Sequence, residues 1–420
     1  MNRKQLIILL VLVAVVGGAG LMIYNKQNAD RQSGNRSLGK KLLADLPIND
    51  VGHIAIRQGG RELNLVKKED WLVKERNNYP ANYSQIRDLL IKLQDLKIVQ
   101  SETVGPSQLP RLALVPGTAS NAATVVDFKD QNDKTLKSLL LGKEHTKKSN
   151  RPSPMGMGEM GEDGGWPDGR YVKVGADSAS VALVSDPLSN VEPKPEAWLD
   201  KDFFKVEKVR SIAVAFPVAT NSWKVTRETE SGEWKLADAK PGEQLDSTKT
   251  SSLSNPLNSP SFNDVEADTK PEALANDKAT VMTLGTFDNF TYTIKVGQKT
   301  NDTYPLAMSV AADLPKERTP GKDEKAEDKA KLDKEFKDNQ KKLEDKLAQE
   351  KAYEKWVYLV SSWTVDPVLK ERSQLLVEKK EEKKDEKKEE KAAAAPKKEE
   401  TASQATDPKP ADDPPPAKEP

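Results

Sequence analysis

Two stretches of this 420-residue chain follow one plan, and that repetition limits the folds open to it more than any other feature. In the first, INDVGHIAIRQGGRELNLVKKEDWLV, Ile54 and Ile56 alternate with polar residues, as do Leu63 and Leu65. The intervening Gln58-Gly59-Gly60-Arg61 reads as the turn of a β-hairpin leading to a third strand at Trp71. In the second, VEKVRSIAVAFPVATNSWKVTRETESGEWKL, Ile212, Val214 and Phe216 alternate ahead of WKVTRE, and Ser231-Gly232 turns into EWKL. Trp71 and Trp234 then hold matching places.

Later segments repeat as well. TLKSLLLGK (135–143) parallels TYTIKVGQK (291–299), each read as an apolar strand entering a glycine turn. GRYVKV…ALVSDPL (169–188) parallels EKWVYLV…TVDPVL (354–369), including Asp186-Pro187 and Asp366-Pro367, and WLDKDFF at Trp198 has a counterpart in LKERSQLL from Leu369. Such a period is too long for a solenoid, so the expectation is α+β: two tandem, duplicated, strand-rich lobes with about one helix each, over 47–204 and 205–377.

The helix of the first lobe is explicit. Asn82 suits an N-cap, Gln85 stands three residues on, and Ile86, Leu89, Leu90, Leu93 and Leu96 share one face. Its counterpart region, Asp246–Val265, carries Pro256 and Pro260, which remove helical donors and predict at most a short helix. A charged insertion over about 314–353 is rich in helix formers after Gly321, and a helix from Asp323 to Glu354 would extend about 48 Å. Leu332, Phe336, Leu343 and Leu347 form a thin stripe on it, so a mostly solvated helix is expected.

The ends differ from the middle. Arg3 and Lys4 precede an uncharged run, Leu6 to Ile23, long enough as a helix to span a hydrocarbon core. An N-terminal transmembrane helix is therefore expected within residues 1–24, with a short cytoplasmic N-terminus and the bulk of the chain outside the cytoplasm. A cleaved signal peptide, with Gly17–Gly20 as the small-residue site, is the competing reading. Residues 25–46 read as a polar linker, and the Lys/Glu/Ala/Pro-rich stretch 378–420 as a disordered tail.

Chemistry is harder to locate. There is no cysteine, which removes disulfides and thiolate sites, and the 66 basic and 66 acidic residues cancel, which argues against nucleic-acid binding. His53 and His145 lie beside apolar segments and read as structural. No phosphate-binding loop, nucleophile elbow or zinc-protease pattern occurs, so no catalytic residue and no cofactor is expected. Met155, Met157 and Met160 lie in a Gly/Pro-rich loop, where soft thioethers are candidate Cu(I) ligands and a plain surface loop is the alternative.

Gly52–Ile56, Trp71-Leu72-Val73, Tyr79-Pro80-Ala81, Leu89-Leu90 with Leu93, and Trp198–Phe204, in that order, resemble the bacterial DUF4340 family over roughly Pro47 to Leu376. The family is uncharacterised and is often found beside auxiliary ABC transporter components similar to those of gliding motility. The resemblance implies a single-pass, periplasmic accessory protein at the bacterial inner membrane with an ABC transporter component as partner, and it brings no catalytic residues. An enzyme acting on wall polymers and a copper-binding module are the other functional expectations.

Overall fold

The computed structural model of the protein describes residues 15–24, 38–119, 121–148, 165–175, 180–274, 276–321 and 324–377. Within them, period-two alternation produces two large antiparallel sheets. Sheet 1 contains β1 (His53–Gln58), β2 (Arg61–Lys67), β3 (Trp71–Val73), β4 (Tyr79–Pro80), β5 (Ile98–Thr103), β6 (Thr124–Lys129), β7 (Thr135–Lys148), β8 (Gly165–Val174) and β9 (Ser180–Val184). Their spatial order is β4-β3-β2-β1-β6-β7-β8-β9-β5. Sheet 2 contains β10 (Val209–Ala215), β11 (Trp223–Thr226), β12 (Lys235–Leu236), β13 (Phe262–Val265), β14 (Thr280–Thr286), β15 (Phe290–Val296), β16 (Thr303–Ala312) and β17 (Tyr358–Ser361), in the order β12-β11-β10-β14-β15-β16-β17-β13.

These orders are the same once β4 is set aside, so each sheet is one repeat with a common topology. Registers agree in detail: Ile54 faces Leu65 and Ile212 faces Val225, while Val73 closes on Leu65 as Leu236 closes on Val225. Trp71 and Trp234 therefore stand immediately ahead of equivalent ladder positions. β4 continues into a bridge between Ala81 and Leu199, and the same bridge in repeat 2 joins Leu245 to Leu376. The flanking bonds match too, with Asn82 N donating to Trp198 O and Asp246 N to Leu375 O.

One pairing drawn from the sequence changes. GRYVKV lies on β8, whose counterpart is β16, whereas WVYLV leads into β17, the counterpart of β9. Nor does the apolar run at Leu139–Leu141 end in a glycine turn. Gly142 sits inside β7, at a register shift, because a Cβ there would lie 2.3 Å from Leu112 O. His145 is accordingly a strand residue.

The expected fold class is corrected in two respects. A transmembrane helix over Leu6–Ile23 is not shown: the described N-terminal helix, α1, covers only 15–24, and no helix among the described residues is long and apolar enough to cross a membrane. In place of two tandem α+β lobes, the architecture is two large antiparallel sheets within one compact unit that ends at Val377. A continuous core from Leu43 to Leu375 runs through both sheets. The sheets join where Tyr79 packs edge-on against Phe262, Tyr358 and Trp356, and where Arg76 makes a two-pronged bond to Asp264 at 2.7 and 2.8 Å.

Helices are subordinate. α2 (Tyr83–Asp95) starts at Asn82, whose side chain accepts from Gln85 N, and buries Ile86, Leu89, Leu90 and Leu93. Its counterpart α3 (Ser247–Thr250) is a single turn capped by Asp246, ahead of Pro256 and Pro260. The charged insertion forms α4 (Ala326–Lys351), followed by the short helices α5 (Ser362–Val365) and α6 (Arg372–Leu375). α4 is exposed along most of its length, as its charge pattern predicts, and docks near its C-terminal end, where Leu343 and Leu347 pack on the core, Lys346 bonds Glu207 at 2.7 Å, and Glu350 is buried. Leu332, nearer its start, stays exposed. Of the expected linker over 25–46, the described residues 38–46 belong to the compact unit, with Leu43 and Leu46 buried in the core, while 25–37, the methionine loop and the tail from Glu378 lie outside the described residues.

Candidate binding site

Alternation along sheet 1 sends Ile54, Ile56, Val126, Phe128, Leu139, Leu141 and Val172 into the main core. The intervening residues, among them Arg57, Val125, Asp127, Ser138, Leu140 and Lys173, face the other way. That second face is covered by the connection from β5 to β6, a segment with a 3-10 turn at Leu109–Leu112. Ala113 then adopts φ +52°, a left-handed conformation costing about 1–2 kcal/mol for a residue with a Cβ. It turns Leu114 down beside Ala123, Leu140 and Val181 into a small second core. The close approach of Leu112 to Gly142 seats the cover on the sheet.

Between cover and sheet lies a cavity of about 670 Å³, the size of a small-molecule site. Leu109, Leu114, Val115, Val125 and Leu140 make its apolar wall, with Arg57, Arg61, Glu62, Asp127, Ser138 and Lys173 as polar groups. One pair of these charges is engaged within the cavity. Asp127, buried, accepts from the Arg57 guanidinium on one oxygen and from Ser138 Oγ at 2.6 Å on the other. Gln58 ties the turn to the cover by donating to Ala122 O at 3.1 Å. The arrangement can hold an apolar group against a charged rim; it does not present a carboxylate poised to take a proton.

Neither histidine lines this cavity. His53, on β1, has Nδ1 2.6 Å from Asp133 Oδ1 and Nε2 2.9 Å from Asn64 Oδ1, so both ring nitrogens are occupied. The contact holds the Asp133 carboxyl below its ordinary value, chiefly through the hydrogen bond. His145, on β7, pairs with Asp168 at 2.6 Å and meets Tyr171 edge-on. The two histidines are kept apart: His53 is level with Lys129, which pairs with Thr135, and His145 stands ten residues farther along that strand, roughly 33 Å at the usual strand rise. No group of three or more His, Cys, Asp or Glu side chains among the described residues could hold a metal ion, and Met155, Met157 and Met160 lie outside those residues.

A second kind of opening occurs twice, at equivalent places. In repeat 1 a cavity of about 530 Å³ lies between α2 and the loop after β9, lined by Asp88, Lys92, Asp186 and Pro187 among others, with Lys92 3.5 Å from Asp186. In repeat 2 one of about 500 Å³ lies between the segment after α3 and the loop at Pro367. The signal for the pair was available in the shared Asp-Pro steps. The cavity under the β5–β6 connection had no such signal, because the cover is irregular.

Sheets, cover and cavities together define a duplicated antiparallel β protein with a ligand-sized cavity on one repeat. Residues 159–279 match the model of a family described as a domain of unknown function, DUF4340, and the chain carries that domain. The match begins ahead of β8 and ends just before β14, spanning the junction of the repeats. Of the residues that carry the resemblance, Trp198–Phe204 fall inside it. No curated protein and no solved structure gives a significant match to the chain.

Proposed function

We propose that this is a noncatalytic binding protein of the bacterial cell envelope, acting outside the cytoplasm as an accessory to a protein partner such as an ABC-type transporter component. The observation that carries the binding reading is the cavity over sheet 1: an apolar wall beneath a charged rim, with Asp127 held by both Arg57 and Ser138. Such a cavity supplies shape and apolar area to a guest, and its buried carboxylate, Asp127, is satisfied by Arg57 and Ser138. The envelope setting and the transporter rest on the DUF4340 resemblance.

The test is affinity capture from solubilised membranes after cross-linking in cells, comparing the native chain with Val115→Lys at the cavity rim. Recovery of a transporter component by the native chain, with loss in Val115→Lys, supports the reading. Recovery of no envelope component sinks it. Turnover of a wall glycan by the purified protein, abolished by one carboxylate substitution, would remove the noncatalytic part.

A further inference from the structure

The repeat 2 member of the paired cavities differs in chemistry from its repeat 1 counterpart. Where repeat 1 places Asp88, Lys92 and Asp186, the repeat 2 groove has no charged residue in its lining. It is built from Ser252, Asn255, Asn258, Ser259, Ser261 and Thr364, over a base that includes the buried Leu257 and Val368. Beside these hydroxyls and amides stands Trp363, 81% exposed on α5. A bare indole is a large apolar surface left in water, and it is informative because most tryptophans are largely covered.

The polar groups are open to a guest as well. Among the described residues, the side chains of Asn255, Asn258, Ser259, Ser261 and Thr364 make no hydrogen bond within the protein. Ser252 is committed, donating to Pro367 O at 3.4 Å and accepting from Lys370 at 3.3 Å, and so fixes the groove's far wall. The tight prolines at 256, 260 and 367 hold the backbone of the rim with little freedom to lose on binding.

An exposed indole face, neutral donor–acceptor side chains and no formal charge together match one ligand chemistry: a ring with an apolar C–H face and a perimeter of hydroxyl or acetamido groups. We infer that the groove between residues 252–261 and Trp363 is a binding site for an uncharged glycan segment, with one sugar ring stacked on Trp363 and its perimeter hydrogen-bonded by Asn255, Asn258 and the neighbouring serines. A proline-rich peptide also favours aromatic grooves, but it presents one carbonyl per residue and few donors, and it would leave most of these amides and hydroxyls without a reciprocal partner. This site is separate from the cavity over sheet 1 and stands whether or not a transporter is the protein partner.

The experiment is isothermal titration of the purified full chain with tetra-N-acetylchitotetraose, with maltotetraose and with a deca-proline peptide. Trp363→Ala is compared with Trp166→Ala, which removes an indole equally exposed on sheet 1. Both residues are solvent-facing, so circular dichroism should leave both variants indistinguishable from the native chain. Saturable binding of either oligosaccharide, weakened at least tenfold by Trp363→Ala and at least threefold by Asn258→Ala but unchanged by Trp166→Ala, is the expected result. Binding of neither oligosaccharide, binding indifferent to Trp363→Ala, or binding of the proline peptide alone would overturn the inference.

Discussion

Repeat 1 and repeat 2 share strand order and register yet fill equivalent positions differently, and the differences fall at the ends of the sheets. At the joint, the β4 edge of repeat 1 offers Tyr79 and Arg76 to Phe262, Tyr358 and Asp264 of repeat 2. On the free edges the same places are changed. The ladders put Ile98, Gln100 and Ala182 of repeat 1 where repeat 2 has Phe262, Asp264 and Tyr358, and the counterpart of Tyr79, two residues before the bridge, is Glu243. Each free edge therefore lacks the aromatic and ionic half that would accept another repeat.

The free edges are also covered. Residues 39–42 bond along the start of β5, with Gly39 N donating to Ile98 O and Ile98 N to Lys40 O. On the far side of sheet 2, the buried Arg372 gathers Asp238 and Glu243 at 2.9 and 2.7 Å. This holds the Glu243 carboxyl down at about 2, chiefly through the hydrogen bond from Arg372. An uncapped edge invites further strands, and a repeat array needs polar ends. The comparison shows that both free edges of the described sheets are capped.

The largest expected effect tests whether the repeats close with equal strength. Trp198 and Leu375 hold the same place beside their bridges and are both 1% exposed. Trp198→Ala should cost about 3–5 kcal/mol and Leu375→Ala about 2–5 kcal/mol, with the tryptophan the costlier of the two because it removes more contacts. Urea midpoints followed by circular dichroism give the order. A greater loss for Leu375→Ala would break the idea that repeat 1 carries the stronger closure.

A smaller effect separates joint from free edge. Arg76→Ala leaves the half-buried Asp264 without its charged donor and should cost about 1.5–3 kcal/mol. Lys41→Ala removes an exposed pair with Asp95 and should stay within about 0.5 kcal/mol. If the joint couples the sheets, Arg76→Ala also broadens the unfolding transition, whereas Lys41→Ala leaves its slope alone; equal effects would mean that Arg76 and Asp264 do not hold the sheets together.

Comparable in size is a contrast between glycines. At Gly142 the obstacle is backbone, so Gly142→Ala must lift the cover from the cavity, at about 1–3 kcal/mol. At Gly285 on β14 the near atom is Ser211 Oγ at 2.6 Å, the end of a side chain that can rotate, and Gly285→Ala should be near neutral. Limited proteolysis across residues 104–118 should accelerate for Gly142→Ala alone. Acceleration in both variants would separate cover mobility from the Leu112 contact.

Much of this frame is visible in local pattern. The alternation at Ile54–Ile56 and Ile212–Val214, the Asn82 cap and the leucines of α2, and the paired tryptophans all depend on neighbours two to four residues away. What the pattern could not supply comes from distant segments meeting. The cavity needs Leu112 to reach Gly142, and its cover has no period to read. The groove at Trp363 joins a proline-interrupted segment to a residue more than a hundred positions later. The apolar run at Leu6–Ile23 was long enough for a span, yet no helix among the described residues is long and apolar enough to cross a membrane. Leu343 and Leu347 dock the end of α4, and the contribution of the buried Glu350 beside them is invisible to a count of apolar residues.

That buried carboxyl gives the smallest and most specific expectation, since among the described residues repeat 1 has no helix equivalent to α4. Glu350 accepts from Tyr292 OH at 2.6 Å and from Lys205 N at 3.1 Å, with Lys346 3.9 Å away and Glu207 bonded to that lysine. Burial raises its pKa above the ordinary glutamate value, against the lowering effect of these hydrogen bonds and of Lys346, while Glu207 adds to the rise. A raised carboxyl favours folding in its protonated form. Its contribution is therefore complete below the ordinary value and is lost as pH rises through the raised one. Amide exchange at 343–351 should slow, after correction for intrinsic rates, as pH falls from 7 to 5. Glu350→Gln keeps an acceptor for Tyr292 and should shift stability by about 1 kcal/mol or less while flattening that dependence. A native-like pH dependence in Glu350→Gln would place the titration elsewhere, and α4 would then be held by Leu343, Leu347 and the Lys346–Glu207 pair.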